Sequence, residues 1–141
     1  MRDLINNIDM KRAIAPAAAT TDNSARVTQI LDRIGVESLA LAIILGDLAD
    51  ADATFAVTME HGDASDLSDA TAVPADQLNG TLALAGFNFA NDNGIRKIGY
   101  VGGKRYVRAT ITPTNNTGNF FVSALWILGK NNLRPTSNPP I

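Results

Sequence analysis

Apolar and polar residues alternate over several short runs of this chain, and a period of two residues is typical of β-strands. The clearest run is 54–60, where Phe55, Val57 and Met59 share one parity. A second run, 37–45, places large aliphatic residues on one parity and alanine-rich positions on the other. About seven or eight such runs, separated by turn signals, predict an all-β, jelly-roll-like β-sandwich.

The segment 94–112 has the pattern of a β-hairpin. Two alternating runs meet at Gly102-Gly103, a pair that tolerates the backbone of a tight turn. In that register Lys97 lies almost opposite Arg108, and like charges across a pair of strands destabilise it. An acidic partner surface would relieve this repulsion, whereas a solvated basic face is the alternative. The same parity predicts a core position for Ile98, Val107, Ala109 and Ile111.

The run 120–128, FFVSALWIL, is apolar on both parities. A strand of this kind is covered on both faces. Either a second subunit covers the outer face, or the strand is central and lies under a loop. The residues predicted to form the core or a dimer contact are Phe120, Val122, Leu125 and Trp126.

Both ends of the chain differ from the middle. We predict an N-terminal arm over 1–24, a sandwich domain over 25–129 and an extended C-terminal tail over 130–141, where three prolines favour an extended backbone. The first arm carries one short amphipathic turn before Pro16 stops any helix. Its apolar residues are Leu4, Ile5 and Ile8.

Composition excludes most site chemistry. The 141 residues include no cysteine and one histidine, so disulfides, thiolate metal sites and multi-histidine sites are ruled out. Aspartates cluster at 47–52 and 63–69, but neither cluster has the spacing of a calcium loop, and a solvated acidic loop is the simpler interpretation. We therefore predict no catalytic residue, no metal, no cofactor and no enzymatic activity.

The remaining exclusions concern partners and location. No apolar stretch approaches eighteen residues and the N-terminus lacks a signal-peptide pattern, so we expect synthesis in the cytoplasm and no membrane partner. The net charge is −2, which gives no reason to expect direct nucleic-acid binding. Tyr106 and Trp126 could instead stack on sugars.

Three segments carry a resemblance to a known family. They are 48–55 (LADADATF), 59–74 (MEHGDASDLSDATAVP) and 95–118 (IRKIGYVGGKRYVRATITPTNNTG). These segments resemble the sequences of small capsid cement, or decoration, proteins of tailed bacteriophages and prophages with HK97-type capsids. The resemblance spans about residues 15–130 and rests on phrases rather than on a catalytic motif.

The resemblance implies a β-sandwich, often dimeric, that sits on the capsid surface of the virion and clamps neighbouring subunits of the major capsid protein. Its partners would be that protein and a second copy of itself. We hypothesise that basic residues pair with acidic capsid groups while the N-terminal arm lies over a neighbour. The capsid contacts would be Lys97, Lys104, Arg105, Arg108, Leu4, Ile5 and Ile8. A tail or fibre component, or a carbohydrate-binding sandwich, is the alternative function.

Overall fold

The chain forms two antiparallel β-sheets in a computed structural model that describes residues 3–140. The strands are β1 (Ile8–Ile14), β2 (Arg26–Val27), β3 (Leu31–Asp32), β4 (Val36–Leu48), β5 (Thr54–Gly62), β6 (Thr71–Ala72), β7 (Leu78–Asn79), β8 (Phe87–Asn88), β9 (Ile95–Tyr100), β10 (Tyr106–Thr114) and β11 (Phe120–Asn131). Within the described residues, helical structure is limited to α1 (Leu82–Ala85) and two 3-10 turns, Ala75–Gln77 and Phe89–Asn91. None of these helices in residues 3–140 has the length or the apolar character to cross a membrane.

Sheet A has the strand order β1-β11-β4-β9-β7, and sheet B has the order β2-β10-β5-β6, with β3 also paired to β10 and β8 to β5. The two sheets bury one face each against a shared core, which is the all-β sandwich that the alternating pattern predicts. The inward parities of β4 and β5 are confirmed, since Leu41, Ile43, Phe55 and Val57 are buried.

The hairpin prediction for 94–112 is wrong. β9 pairs with β4 and β7 in sheet A, whereas β10 pairs with β5, β2 and β3 in sheet B. The segment 101–105 therefore crosses from one sheet to the other. Both strands bury their inward residues, and they do so by facing each other across the core instead of lying side by side. Lys97 lies opposite Ala42 and Arg108 opposite Glu60, so the predicted like-charge pair does not exist.

The structure places a core strand inside the predicted N-terminal arm. Strand β1 pairs with β11 along its length, and Ala13 and Ile14 are buried in the core. Pairing with β1 covers an edge of β11 whose backbone groups would otherwise lack partners. After Pro16 the chain crosses the end of the sandwich, where Thr20 exchanges two backbone hydrogen bonds with Phe120.

The C-terminal segment begins after Asn131, two residues later than predicted, and residues 132–140 contain no helix or strand. It folds back on the N-terminal turn, because the Thr136 hydroxyl donates to the carbonyl oxygens of Ile5 and Ile8 at 3.0 and 2.7 Å. The predicted tail residue Ile141 and the predicted arm residues 1 and 2 lie outside the described residues.

Within the segment 81–89, whose alternating pattern favours a bulged strand, residues Leu82–Ala85 form the short helix α1 and only Phe87–Asn88 pair as a strand. Thr81 caps α1, its hydroxyl accepting from the Leu84 N–H at 3.1 Å. This cap satisfies a helix-end donor locally and outweighs the alternating pattern. Gly86 ends the helix, and Phe87 then stacks on Phe55 with ring centroids 4.8 Å apart.

Candidate docking face

The outer side of sheet A carries a continuous apolar surface. Strand register places side chains from β1, β11, β4 and β9 in rows on this side. One row is Met10, Ile127, Ala40 and Gly99; the next is Arg12, Leu125, Ala42 and Lys97; the third is Ser123, Ile44 and Ile95. Paired residues of an antiparallel sheet share a face, so these rows form one surface. We call its apolar members the apolar face: Met10, Ala40, Ala42, Ile44, Ile95, Phe121, Leu125 and Ile127.

Large members of the apolar face are open to solvent. Met10 is 43% exposed, Ile44 41%, Phe121 38% and Ile95 68%. Phe121 lies directly over Gly46, where an added Cβ would come within 2.8 Å of the Phe121 Cβ. Single exposed apolar residues are ordinary on protein surfaces, but a contiguous patch of them marks an interaction site.

Two cations flank the centre of this surface. Arg12 lies on β1 and Lys97 on β9, at the two ends of the row that contains Leu125 and Ala42. The Arg12 guanidinium lies beside Gln29, whose side-chain oxygen accepts from Nη2 at 3.0 Å once that amide is oriented to satisfy both partners. The three rows contain no acidic residue.

Met10 connects the apolar face to a groove between the two chain ends. This groove has a volume of about 270 Å³, and Leu4, Ile5, Ile8 and Pro140 also line it. Leu4 and Ile5 are exposed, and Ile8 is half-buried at the start of β1. The three predicted apolar contacts are therefore brought together beside the apolar face.

Three of the four predicted basic contacts are paired within the chain. Lys104 contacts Asp63 at 2.5 Å, Arg105 contacts Asp32 at 2.8 Å, and Arg108 contacts Glu60 at 2.5 Å. The hydrogen bond from Arg105 is the main cause that lowers the pKa of Asp32, and the hydrogen bond from Lys104 does the same for the pKa of Asp63. Capsid contact by these residues stays a prediction, and Lys97 is the one that faces outward on sheet A.

The predicted core or dimer residues separate into two groups. Phe120, Val122 and Trp126 point into the sandwich and are buried. Leu125 has the opposite parity and lies at the centre of the apolar face. The doubly apolar run therefore reflects one strand that contributes both to the core and to the outer surface.

The sequence-based prediction missed Arg12, Met10, Ile44, Phe121 and Ile127 as surface neighbours. A signal for them was present, because 37–45 and 120–128 both carry apolar or small residues on their second parity. That β11 and β4 are neighbours, and that β1 flanks β11, is not visible in the local pattern.

Aspartate side chains of the two clusters accept hydrogen bonds that hold loops in place. Asp69 accepts from the backbone N–H groups of Asp63 and Ala64 at 2.8 and 3.1 Å. Asp50 accepts from the N–H and hydroxyl of Thr117 at 2.8 and 2.9 Å. These hydrogen bonds lower the pKa of both carboxyls. No group of three or more metal-ligating side chains converges in residues 3–140.

Comparison with known proteins gives only distant structural similarities. No protein-family model and no curated protein matches the sequence. The chain is similar to the C-terminal family 22 carbohydrate-binding module of Clostridium thermocellum Xyn10B, with TM-score 0.44 and 8% identity over 94% of this chain and 92% of that one. It is similar to the CBM22-1–GH10 modules of the same xylanase, with TM-score 0.43 and 12% identity over 92% of this chain. It is similar to the infectious bursal disease virus Gx strain structure, with TM-score 0.43 and 12% identity over 90% of this chain. The chain spans only 27% of that xylanase chain and 34% of the viral chain.

Proposed function

We propose that this protein is a structural virion protein, a capsid cement protein that docks on the major capsid protein of a tailed phage. The observation that carries the proposal is the apolar face of sheet A. In a two-sheet sandwich the outer side of each sheet is ordinarily polar, because it faces water. Here that side is apolar across four adjacent strands, which suits a protein whose work is to bind another surface.

The sequence resemblance to phage cement proteins supports the same proposal independently of the apolar face. It supplies the partner, the major capsid protein, and the location on the outside of a shell. A shell presents many copies of one site, so a modest contact by each bound copy can reinforce the whole particle.

A carbohydrate-binding function has less support from the side chains. Trp126 is 1% exposed and lies within the core, so its ring is not available to a sugar. The ring of Tyr106 carries the Arg105 guanidinium 5.0 Å from its centroid. A tail or fibre component would use the same apolar face, and the choice of binding partner separates it from a cement protein.

The test is co-sedimentation of the purified protein with mature capsid shells that were assembled without it. The informative variant is Ala42→Glu, which adds a charge at the centre of the apolar face. Its matched control is Ala56→Glu, because Ala56 is an exposed position on the outer side of sheet B. The unfolding midpoints of both variants are measured to check that each remains folded.

We expect the wild type and Ala56→Glu to bind at a fixed ratio to the major capsid protein, and Ala42→Glu to lose binding. Absence of wild-type binding to any shell state would overturn the cement function and direct the search to tail proteins. Equal binding by Ala42→Glu and the wild type would overturn the docking face while leaving the cement function intact.

A further inference from the structure

We infer that the partner of the apolar face is a protein surface that has an apolar centre and a carboxylate on either side of it. Arg12 and Lys97 bind these two carboxylates, and the partner is not a second copy of this chain. The inference rests on the proposed function and names the chemistry of its partner. The positions of the two cations, the charge pattern, the area and the shape of the face support it.

The geometry fixes where the partner's carboxylates must lie. Arg12 on β1 and Lys97 on β9 are separated by the two intervening strands β11 and β4. Three inter-strand spacings place their backbones roughly 14 Å apart. The residues between them, Leu125 and Ala42, are apolar, so the matching surface has carboxylates at the rim of an apolar patch of that width.

The charge pattern argues against a second copy centred on this row with its strands parallel or antiparallel to those of the first. A two-fold axis that lies in the interface and runs along the strands or across them superposes the row on its own copy. Arg12 then faces Lys97 or Arg12 of the other copy, and the three rows offer no acidic residue to compensate. Repulsion between like charges at an interface lowers the affinity for a partner that brings them together.

The area limits how strongly any single partner can bind this face. Four strands and three rows cover roughly 20 Å by 20 Å, on the order of 400 Å², which is about half of what each partner buries in a standard stable interface. An isolated dimer on this face would be weak. A lattice that adds the neighbouring groove at Leu4, Ile5 and Met10 provides further contact area.

The shape of the face favours a protein over a lipid surface. Its rows include the small residues Ala40, Ala42 and Gly99, which let the backbone of a protein partner approach closely. An anionic membrane would be attracted by many cations and by long apolar side chains that insert. The three rows contain only two cations.

The test compares the removal of two charges from the apolar face with the removal of two exposed charges elsewhere on sheet A. Arg12 faces the apolar side of β1, whereas its neighbour Lys11 is exposed at the sheet edge and has the opposite parity, since it lies opposite the buried Trp126. The variants are Arg12→Gln with Lys97→Gln, and, as a control with the same loss of two charges, Lys11→Gln with Lys130→Gln. Lys130 is an exposed residue near the end of β11 and belongs to none of the three rows. Binding to shells is titrated at low and high salt.

We expect the first double variant to bind about tenfold more weakly at low salt, to lose most of its salt dependence and to match the wild type at high salt. The control is expected to bind like the wild type. Wild-type binding that is unaffected in either double variant would overturn the inference while leaving the cement function in place. No wild-type binding at all would instead remove the proposed function.

Two measurements without shells test the excluded occupants. In sedimentation equilibrium we expect no dimer that forms through the apolar face, that is, no dimer that Ala42→Glu disrupts. In flotation with phosphatidylglycerol vesicles we expect no vesicle binding that Ala42→Glu abolishes. A dimer of that kind would assign the face to a second copy, and vesicle binding of that kind would assign it to lipid. Either result would overturn the inference.

Discussion

His61 on β5 and Tyr100 on β9 join the two sheets through a hydrogen bond of 2.8 Å between Nδ1 and the phenolic oxygen. The rings meet edge to face with centroids 5.7 Å apart, and both residues are buried. The same phenolic oxygen accepts from the Lys104 N–H at 3.1 Å. The Tyr100 hydroxyl therefore connects the two sheets and also binds the backbone at Lys104, just before the chain enters sheet B at β10.

Removal of this hydroxyl should destabilise the protein. Tyr100→Phe leaves the His61 nitrogen and the Lys104 N–H without their partner in a buried setting. We expect the free energy of unfolding to fall by about 1–3 kcal/mol. Urea titration measures it, with Tyr106→Phe as the control, because the half-buried Tyr106 hydroxyl has no hydrogen-bond partner within residues 3–140. A loss equal to that of the control would show that the hydroxyl is not part of the connection.

Stability should fall with acidification in two separate ranges. Burial lowers the pKa of His61 below its usual 6.5, and the charge of Lys104 acts in the same direction. Between pH 6.5 and the folded-state pKa, the unfolded chain takes up a proton that the folded protein resists, so the free energy of unfolding decreases as the pH falls. The lowered pKa values of Asp32 and Asp63 produce a second loss below about 3.8.

His61→Gln separates the two ranges. We expect this variant to lose the stability change between pH 7 and 5 and to retain the one below pH 4. Chemical unfolding at a series of pH values measures both. Parallel curves for the wild type and the variant between pH 7 and 5 would contradict the role of His61.

The crossover between the sheets requires a glycine at position 102 and not at position 103. A Cβ on Gly102 would lie 2.5 Å from both the Gln77 Oε1 and the Tyr100 hydroxyl, while a Cβ on Gly103 would meet nothing within 4 Å. We expect Gly102→Ala to lower the free energy of unfolding by about 1–3 kcal/mol, because buried groups must shift. Gly103→Ala is the matched control and should change it by less than about 0.5 kcal/mol. Equal effects would show that the segment rearranges freely.

The N-terminal segment should contribute to folding stability through β1. Deletion of residues 1–14 removes the strand paired with β11 and the buried side chains of Ala13 and Ile14. We expect a loss of at least about 3 kcal/mol in the free energy of unfolding, because one sheet edge and part of the core are lost. Deletion of residues 1–7 removes the exposed Leu4 and Ile5 and should cost less than about 1 kcal/mol.

The comparison of these two deletions also guides binding experiments. Only the shorter deletion leaves every strand in place, so only it can test whether Leu4 and Ile5 contact a capsid. A shorter deletion that destabilises the protein as much as the longer one would show that the chain ends, held together through Thr136, are part of the folding unit.

The strands with a strong local pattern, and the direction of their side chains, can be predicted from the amino-acid sequence. Ile98, Val107 and Ile111 are buried as predicted, although the hairpin that was expected to hold them does not exist. The parity of a residue follows from the two-residue period of its own strand, which is a local property. Strand partners are selected by contacts distant in sequence, so the Gly102-Gly103 pair fits a tight turn and a crossover equally well.

The order of the strands within each sheet depends on contacts between residues distant in sequence. Strand β1 is short and polar in its middle, and it forms because β11 presents an open edge to it. The apolar face forms because β11 lies next to β4, with β1 and β9 outside them, so that Leu125 and Ala42 come to lie between Arg12 and Lys97. These residues come from four separate segments, and no local pattern specifies their order in the sheet, because that order is set by how the two layers bury their inner faces together.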